Sequence, residues 1–294
     1  MMNVYESVHI VGGKGMLGHA LGDQLEARSR RFLTPDLPEI DITDPESLKK
    51  YFAEHKPTLI LNCAAHTRVD QCEQEKEKAD AINGYAVGHL ASLCRSAGAV
   101  LVHISTDFVF DGSQRRPYRV DAKPNPLSAY GKSKLLGEIE LQKHAPARWL
   151  IVRTAWLYGR HGPNFPRTMV QAAQAGKPLT VVNDQSGSPT YTGDLAGAIL
   201  DLVDSGAGGI FHATNSGQTT WFEFAKATLE EFGIEAEVAA ISSADWAQKR
   251  PTAAVRPAYS VLDLEPLEGK IARPMRPWRE ALKDYRAAVK LHGF

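Results

Sequence analysis

Ser7-Val8-His9-Ile10-Val11-Gly12-Gly13-Lys14-Gly15-Met16-Leu17-Gly18 sets a short apolar run directly against a cluster of glycines. The run reads as a strand. The glycines read as G-x-x-G-x-x-G from Gly12 or as G-x-G-x-x-G from Gly13. Leu17, Leu21 and Leu25 then recur at helical spacing on one face. Strand, glycine turn and helix in immediate succession are the setting that a dinucleotide fingerprint requires. Glycine lets backbone approach a pyrophosphate closely, and a helix N-terminus offers free N–H groups and the positive end of its dipole. The plainer alternative is a glycine turn that only tightens strand–helix packing.

Outward from this stretch the same rhythm continues. Arg31 to Thr34 reads as a second strand, short and weakly marked. Asp36 then falls where an acidic residue meets an adenosine ribose, which leans to NAD. Lys14 and the basic run Arg28 to Arg31 leave NADP open. Asp44 is a good helix cap with Pro45 at the first helical position, opening a helix to about His55. Asp41 is placed either in that cap region or beside an adenine. Thr58 to Leu61 reads as an apolar strand, as in a parallel sheet covered on both faces, and Ala99 to Ile104 as the next apolar strand. Between them a helix runs from Glu73 through Leu93. The order β-α-β-α-β-α-β predicts an α/β fold with a doubly wound, parallel, Rossmann-like sheet and right-handed crossovers.

Ser105-Thr106-Asp107-Phe108-Val109-Phe110-Asp111-Gly112 closes the last of those strands, and Tyr130-Gly131-Lys132-Ser133-Lys134 follows. Thr106 therefore stands at a carboxyl strand end, where open α/β sheets bind ligands. Tyr130 and Lys134 lie one helical turn apart on one face. A free phenol titrates near 10, and a nearby ammonium favours the phenolate. Bringing Tyr130 near neutrality takes about 4 kcal/mol, which Lys134, a second cation and Thr106 together are expected to supply. Such a tyrosine exchanges a proton with an alcohol or carbonyl oxygen.

Past Trp149 to Arg153, another strand, the rhythm breaks near residue 160. The expected division is residues 1–160 as a dinucleotide-binding domain and 161–294 as a smaller α/β substrate domain. Elements around 190–215 return to the first. From Glu235 onward the tail reads as proline-rich and irregular until a last helix near Trp278 to Val289.

The composition narrows the function classes. Of 294 residues, 43% are hydrophobic and 23% charged, and 34 basic residues balance 34 acidic ones. That is ordinary globular usage, without the charge excess of a nucleic-acid or membrane-surface binder. No apolar run approaches the roughly 20 residues of a membrane span, and no signal peptide is read at the start. Cys63, Cys72 and Cys94 lack metal-ligand spacing and fit a reducing cytoplasm. No metal site is read.

Taken together the motifs resemble the extended short-chain dehydrogenase/reductases. The glycine fingerprint, STDFVFDG from Ser105, Tyr130-x-x-x-Lys134 and RTAWLYG from Arg153 carry the resemblance. NCAAHTRVD from Asn62, VVNDQSGSPT from Val181, TTWFEFA from Thr219 and RPAYSVLD from Arg256 narrow it to the dTDP-4-dehydrorhamnose reductase family. It spans essentially the whole chain. It implies reduction of the C4 ketone of dTDP-4-dehydro-L-rhamnose by NADPH or NADH. Tyr130 would donate the proton, Lys134 would hold the nicotinamide ribose, and Thr106 would bond the carbonyl. Gly12, Gly15 and Gly18 would line the pyrophosphate, with Met16 and Leu17 on the helix beginning there. Ala64, Ala65 and Asp41 would flank the adenosine. Thr67, Val69, Phe108, Trp156 and Asn164 would face the sugar or its nucleotide, and Arg256 the diphosphate. A homodimer, and a Mg2+ ion bridging its subunits as in some relatives, are left open.

Two positions depart from the family pattern. Phe108 stands where tyrosine is usual, removing a hydroxyl from the site wall. Tyr259 stands where asparagine is common, which puts the orientation of its loop in question. Two other readings compete. One is a nucleotide-sugar epimerase or dehydratase; the absence of a glutamate after Asp107 disfavours dehydration. The other is a non-catalytic subunit similar to the regulatory subunit of methionine adenosyltransferase, against which intact Thr106, Tyr130 and Lys134 argue.

Overall fold

The computed structural model describes residues 5–292. Its first half alternates as the apolar runs predict: β1 (Val8–Val11), α1 (Met16–Ala27), β2 (Phe32–Leu33), α2 (Pro45–His55) and β3 (Leu59–Asn62). Next come α3 (Val69–Cys72), α4 (Lys76–Asp80), a π turn at Ala81–Tyr85 and α5 (Ala86–Ala97). β4 (Val100–Thr106), a 3-10 turn at Asp107–Val109, α6 (Ala129–Lys143) and β5 (Trp149–Thr154) complete it. The later elements are β6 (Leu157–Tyr158), α7 (Phe165–Gln174), β7 (Leu179–Val182), β8 (Ser186–Gly187) and β9 (Thr190–Tyr191). They continue with α8 (Thr192–Asp204), β10 (Gly209–His212), β11 (Thr219–Thr220), α9 (Trp221–Phe232) and β12 (Val238–Ile241). α10 (Ser243–Lys249), α11 (Glu265–Ile271) and α12 (Trp278–His292) follow.

Six strands form one parallel sheet in the order β10-β5-β4-β3-β1-β2. β1 and β3 are buried along their whole length, because helices cover both faces. Leu17, Leu21 and Leu25 of α1 pack with Leu195, Ile199 and Leu202 of α8 against one face. Leu48 and Phe52 of α2 and Leu90 and Cys94 of α5 cover the other. Burial of each such leucine contributes roughly 1.5–3 kcal/mol. A separate aromatic cluster of Tyr158, Phe224, Trp278 and Tyr285 joins α9 and α12.

Two regions differ from the sequence expectation. The helix expected from Glu73 through Leu93 runs from Lys76 to Ala97 and contains a π turn at residues 81–85. That turn carries Asn83, whose buried amide donates to Ser133 Oγ (3.0 Å) and to the His66 carbonyl (3.0 Å). Its Oδ1 accepts from the His66 amide at 2.7 Å. The bend thus holds the loop after β3 against α6. The tail expected to be irregular contains β12, which pairs in parallel with β7, and the helices α10 and α11. No described helix is long and apolar enough to cross a membrane.

Candidate active site

The carboxyl ends of β1, β3, β4 and β5 open onto two adjoining cavities that share Gly15, Cys63 and Ala65. The first, of about 560 Å3, is lined by Gly12, Gly15, Asp36, Asp41, Ala64 and Ala65. Gly12 has φ +75°, and a Cβ there would lie 2.6 Å from the Ala64 nitrogen. A Cβ on Gly18 would lie 2.5 Å from the Gly13 carbonyl oxygen. Both positions therefore demand glycine. α1 starts at Gly15 without a side-chain cap, leaving its first N–H groups for a ligand. A cradle this close, with an uncapped helix start, suits a dinucleotide pyrophosphate. The Asp41 carboxylate is engaged by Thr43, through the amide at 2.9 Å and the hydroxyl at 2.7 Å.

The second cavity, of about 410 Å3, brings together Gly15, Met16, Leu17, Gly18, Ala65, Thr67 and Val69 with Thr106, Phe108, Tyr130, Lys134 and Trp156. Ser128 caps α6 through the Gly131 amide at 3.1 Å and so fixes where Tyr130 begins its turn. The Tyr130 ring meets Phe108 edge-on, with centroids 5.5 Å apart. Thr106 Oγ1 donates to Asp107 Oδ1 at 3.0 Å and accepts from the Phe108 amide at 3.2 Å.

Lys134 is buried, and its Nζ donates to the Ile104 carbonyl at 2.6 Å. It also lies 3.2 Å from His103 Nε2. Burial brings its ammonium down to about 8, against the opposing pull of Glu138 and Cys63. The expectation of a phenol brought toward neutrality does not hold in this state. Burial holds Tyr130 above its ordinary value; hydrogen bonding with Thr106 works the other way, and the neighbouring Asp107 and Cys72 add to the rise. Desolvation outweighs what the Thr106 hydroxyl supplies, and Lys134 is engaged behind the tyrosine, on Ile104 and His103.

Asn164 and Arg256 lie outside both cavities. Asn164 caps α7: its Oδ1 accepts from the Arg167 amide (3.0 Å) and the Tyr285 hydroxyl (3.2 Å), and its Nδ2 donates to the Gly159 carbonyl (2.7 Å). Arg256 pairs with Asp70 at 3.0 Å and lines a third, largely apolar cavity of about 370 Å3. Phe165, Met169, Val181, Trp221 and Trp246 enclose it. Trp156 and Trp221 stack with centroids 3.7 Å apart, so the indole pair stands between this cavity and the Tyr130 cleft. Trp156 holds a left-handed φ of +47°, an uncommon conformation for a bulky residue. Gly187 makes room for it, since a Cβ there would lie 2.4 Å from the indole.

Tyr259 and Phe108 resolve differently. The Tyr259 loop is held by backbone, with Ser186 N–H donating to the Ala258 carbonyl and Ser260 N–H to the Ser186 carbonyl, both at 2.8 Å. The Tyr259 side chain packs against the cluster of Val109, Phe110, Tyr118 and Leu262. Phe108 gives the wall its ring, edge-on to Tyr130, and is anchored by its amide on Thr106 Oγ1. The residue that sequence reasoning passed over is Asp107, which also lines the cleft. Burial pushes its carboxyl up to about 6, against hydrogen bonding from Ser260 and Thr106. Its position immediately after Thr106 was the available signal. Among the described residues, no group of three or more His, Cys, Asp or Glu could hold a metal ion.

A parallel sheet with a glycine cradle, and a threonine, tyrosine and lysine gathered beside it, defines the class: an extended short-chain dehydrogenase/reductase, an oxidoreductase of nucleotide sugars. The model of the RmlD substrate binding domain family matches residues 6–291. The chain is 42% identical over 278 residues to the Bacillus subtilis spore coat polysaccharide biosynthesis protein SpsK, covering 95% of this chain and 96% of the relative. It is 41% identical over 287 residues to the dTDP-4-dehydrorhamnose reductase of Mycolicibacterium smegmatis, covering 97% and 86%. The crystal structure of dTDP-4-dehydrorhamnose reductase from Bacillus anthracis in complex with NADP superposes with a TM-score of 0.92 at 35% identity, covering 96% and 99%. The chain belongs to the RmlD substrate binding domain family, that of the dTDP-4-dehydrorhamnose reductases.

Proposed function

We propose that this chain reduces the C4 ketone of dTDP-4-dehydro-L-rhamnose to dTDP-L-rhamnose at the expense of NADPH or NADH. The observation that carries the reading is the convergence of Thr106, Tyr130 and Lys134 on one cavity continuous with the glycine cradle. When bound, the reduced nicotinamide supplies the hydride. Tyr130 gives the proton to the forming C4 alkoxide, for which a phenol held above its ordinary value is in the right protonation state. Thr106 offers its hydroxyl to the carbonyl oxygen and stabilises the charge developing there. Lys134, which lines the same cavity, would hold the nicotinamide ribose.

Arg28 is tied to Asp201 and Asp204, and Arg30 to Asp204, whereas the Asp36 carboxylate lines the adenosine side. That arrangement suits a ribose hydroxyl, while Lys14 and Arg31 keep NADPH open. The apolar cavity of Trp221, Trp246 and Phe165 suits a nucleobase, with Arg256 at its margin for the diphosphate. We assign residues 1–160, with the returns around 190–215, to dinucleotide binding and 161–294 to the substrate. Free thiols at Cys63, Cys72 and Cys94 support a cytoplasmic location.

The test is ketone-dependent loss of reduced-nicotinamide absorbance with the purified protein and enzymatically prepared dTDP-4-dehydro-L-rhamnose. Tyr130→Phe is expected to lower kcat by at least about 100-fold while leaving dinucleotide affinity intact. No turnover by the wild type with either cofactor would overturn the reading.

A further inference from the structure

Ser105 and Arg153 are register partners on β4 and β5, one residue before the pairing of Thr106 with Thr154. Both side chains meet one carboxylate, which none of the proposed roles uses. Glu138 Oε1 accepts from Ser105 Oγ at 2.5 Å and from Arg153 Nε at 2.8 Å, and its Oε2 accepts from Arg153 Nη2 at 2.6 Å. Glu138 lies on α6, one turn beyond Lys134 and two beyond Tyr130. Ser105, Glu138 and Arg153 are each at most 2% exposed, so water does not replace these partners. The third guanidinium nitrogen, Nη1, donates to the Val120 carbonyl at 3.3 Å and lies 3.4 Å from His212 Nε2 on β10.

The geometry is demanding. A guanidinium and a carboxylate meeting through two parallel bonds fix direction as well as distance. An amide at position 138 would turn its NH2 toward a guanidinium N–H whichever way it lay. As fold cement the pair is a poor choice, because packed apolar side chains in place of a buried ion pair are often neutral or stabilising. What it does supply is alignment. Successive residues of a strand face opposite ways. Ser105 faces α6 and is held there by Glu138. Thr106, still extended at φ −144° and ψ 155°, turns the other way and lines the cleft. One carboxylate thus joins the end of β4 to the helix that carries Tyr130 and Lys134.

We propose that Glu138 and Arg153 are positioning residues: clamped on Ser105, they set the Thr106 hydroxyl against the α6 turns that bear Tyr130 and Lys134. Neither touches the cavity in which the ketone would sit. They act through the strand end and the helix, and their loss disturbs alignment more than binding. The consequence for catalysis rests on the reductase reading, but the placement of Thr106 does not.

The experiment compares the whole wild-type protein with Ser105→Ala and with the apolar variant Ser105→Ala/Glu138→Leu/Arg153→Met. Each is labelled at its threonine methyl groups and observed by NMR, with the Thr106 signal assigned from Thr106→Ser. Thermal unfolding, dinucleotide affinity and ketone reduction are measured on the same samples. The apolar variant is expected to unfold near the wild-type temperature and to bind dinucleotide as the wild type does. Its Thr106 methyl should shift or broaden while most other threonine methyls stay in place, and its kcat should fall by about 10- to 100-fold. Ser105→Ala keeps the ion pair and removes one bond. It should move the same methyl and lower kcat by about 3- to 10-fold, which covers poor folding of the apolar variant. An unmoved Thr106 methyl or a wild-type kcat in both variants overturns the proposal. So does a loss of dinucleotide affinity in step with kcat, which would mark general disorder. If the wild type itself reduces no ketone, the reductase reading fails and the Thr106 methyl alone decides this proposal.

Discussion

Asp107 shows how one buried carboxyl shapes the site. Its carboxyl is raised from 3.8 to about 6 by burial. The native state therefore holds a proton that the unfolded chain releases between those values, and stability falls as pH rises through that window. At about 1.36 kcal/mol per unit the cost above pH 6 is about 3 kcal/mol. Asp107→Asn should remove it: equal stability to wild type below about pH 4, and up to about 3 kcal/mol more at pH 7–8. Urea denaturation of both proteins across that range measures the difference. The cost is borne beside Thr106 and Tyr130, where a donor and acceptor of the right order matter more than stability.

Among the elements, α7 and the tail mark where sequence reading succeeded and failed. The strands β1, β3, β4 and β5 were legible because each is a largely apolar run closed by glycine or a polar residue, whereas β2 was only weakly marked. Gly12 and Gly18 were legible because no other residue fits their contacts. The π turn was not, since its Asn83 pairs with His66 and Ser133, which are distant in the chain. β12 was missed because two of its four residues are exposed and its partner lies far back in the chain, at β7. Asn164 was legible as a special position, yet its amide is spent on capping α7 and on Tyr285. Asn164→Ala should therefore cost about 2–3 kcal/mol, from a lost cap and newly unpaired buried groups. Equilibrium unfolding measures that cost, and the KM for the sugar nucleotide is expected to stay near wild type.

At the scale of the molecule, three buried histidines set the acid limit. His9 is held down to about 4 and His212 to about 3, both chiefly by burial, and His103 lies well below its ordinary value. Each would take up a proton at about pH 6.5 only when unfolded, so stability falls as pH drops below that point. Three protons make a slope of about 4 kcal/mol per unit, and Asp107, titrating the opposite way below pH 6, reduces it to about 3. Urea titrations between pH 7 and 4.5 should show this decline, and replacing His9 should flatten it by one proton. The stacked indoles of Trp156 and Trp221 have a different bearing on the whole. One ring borders the space assigned to the sugar ketone and the other the space assigned to the base, so light absorbed by the pair is shared between both. Tryptophan fluorescence is thus expected to change when either chamber is filled, and Trp156→Phe should remove the response to the ketone side.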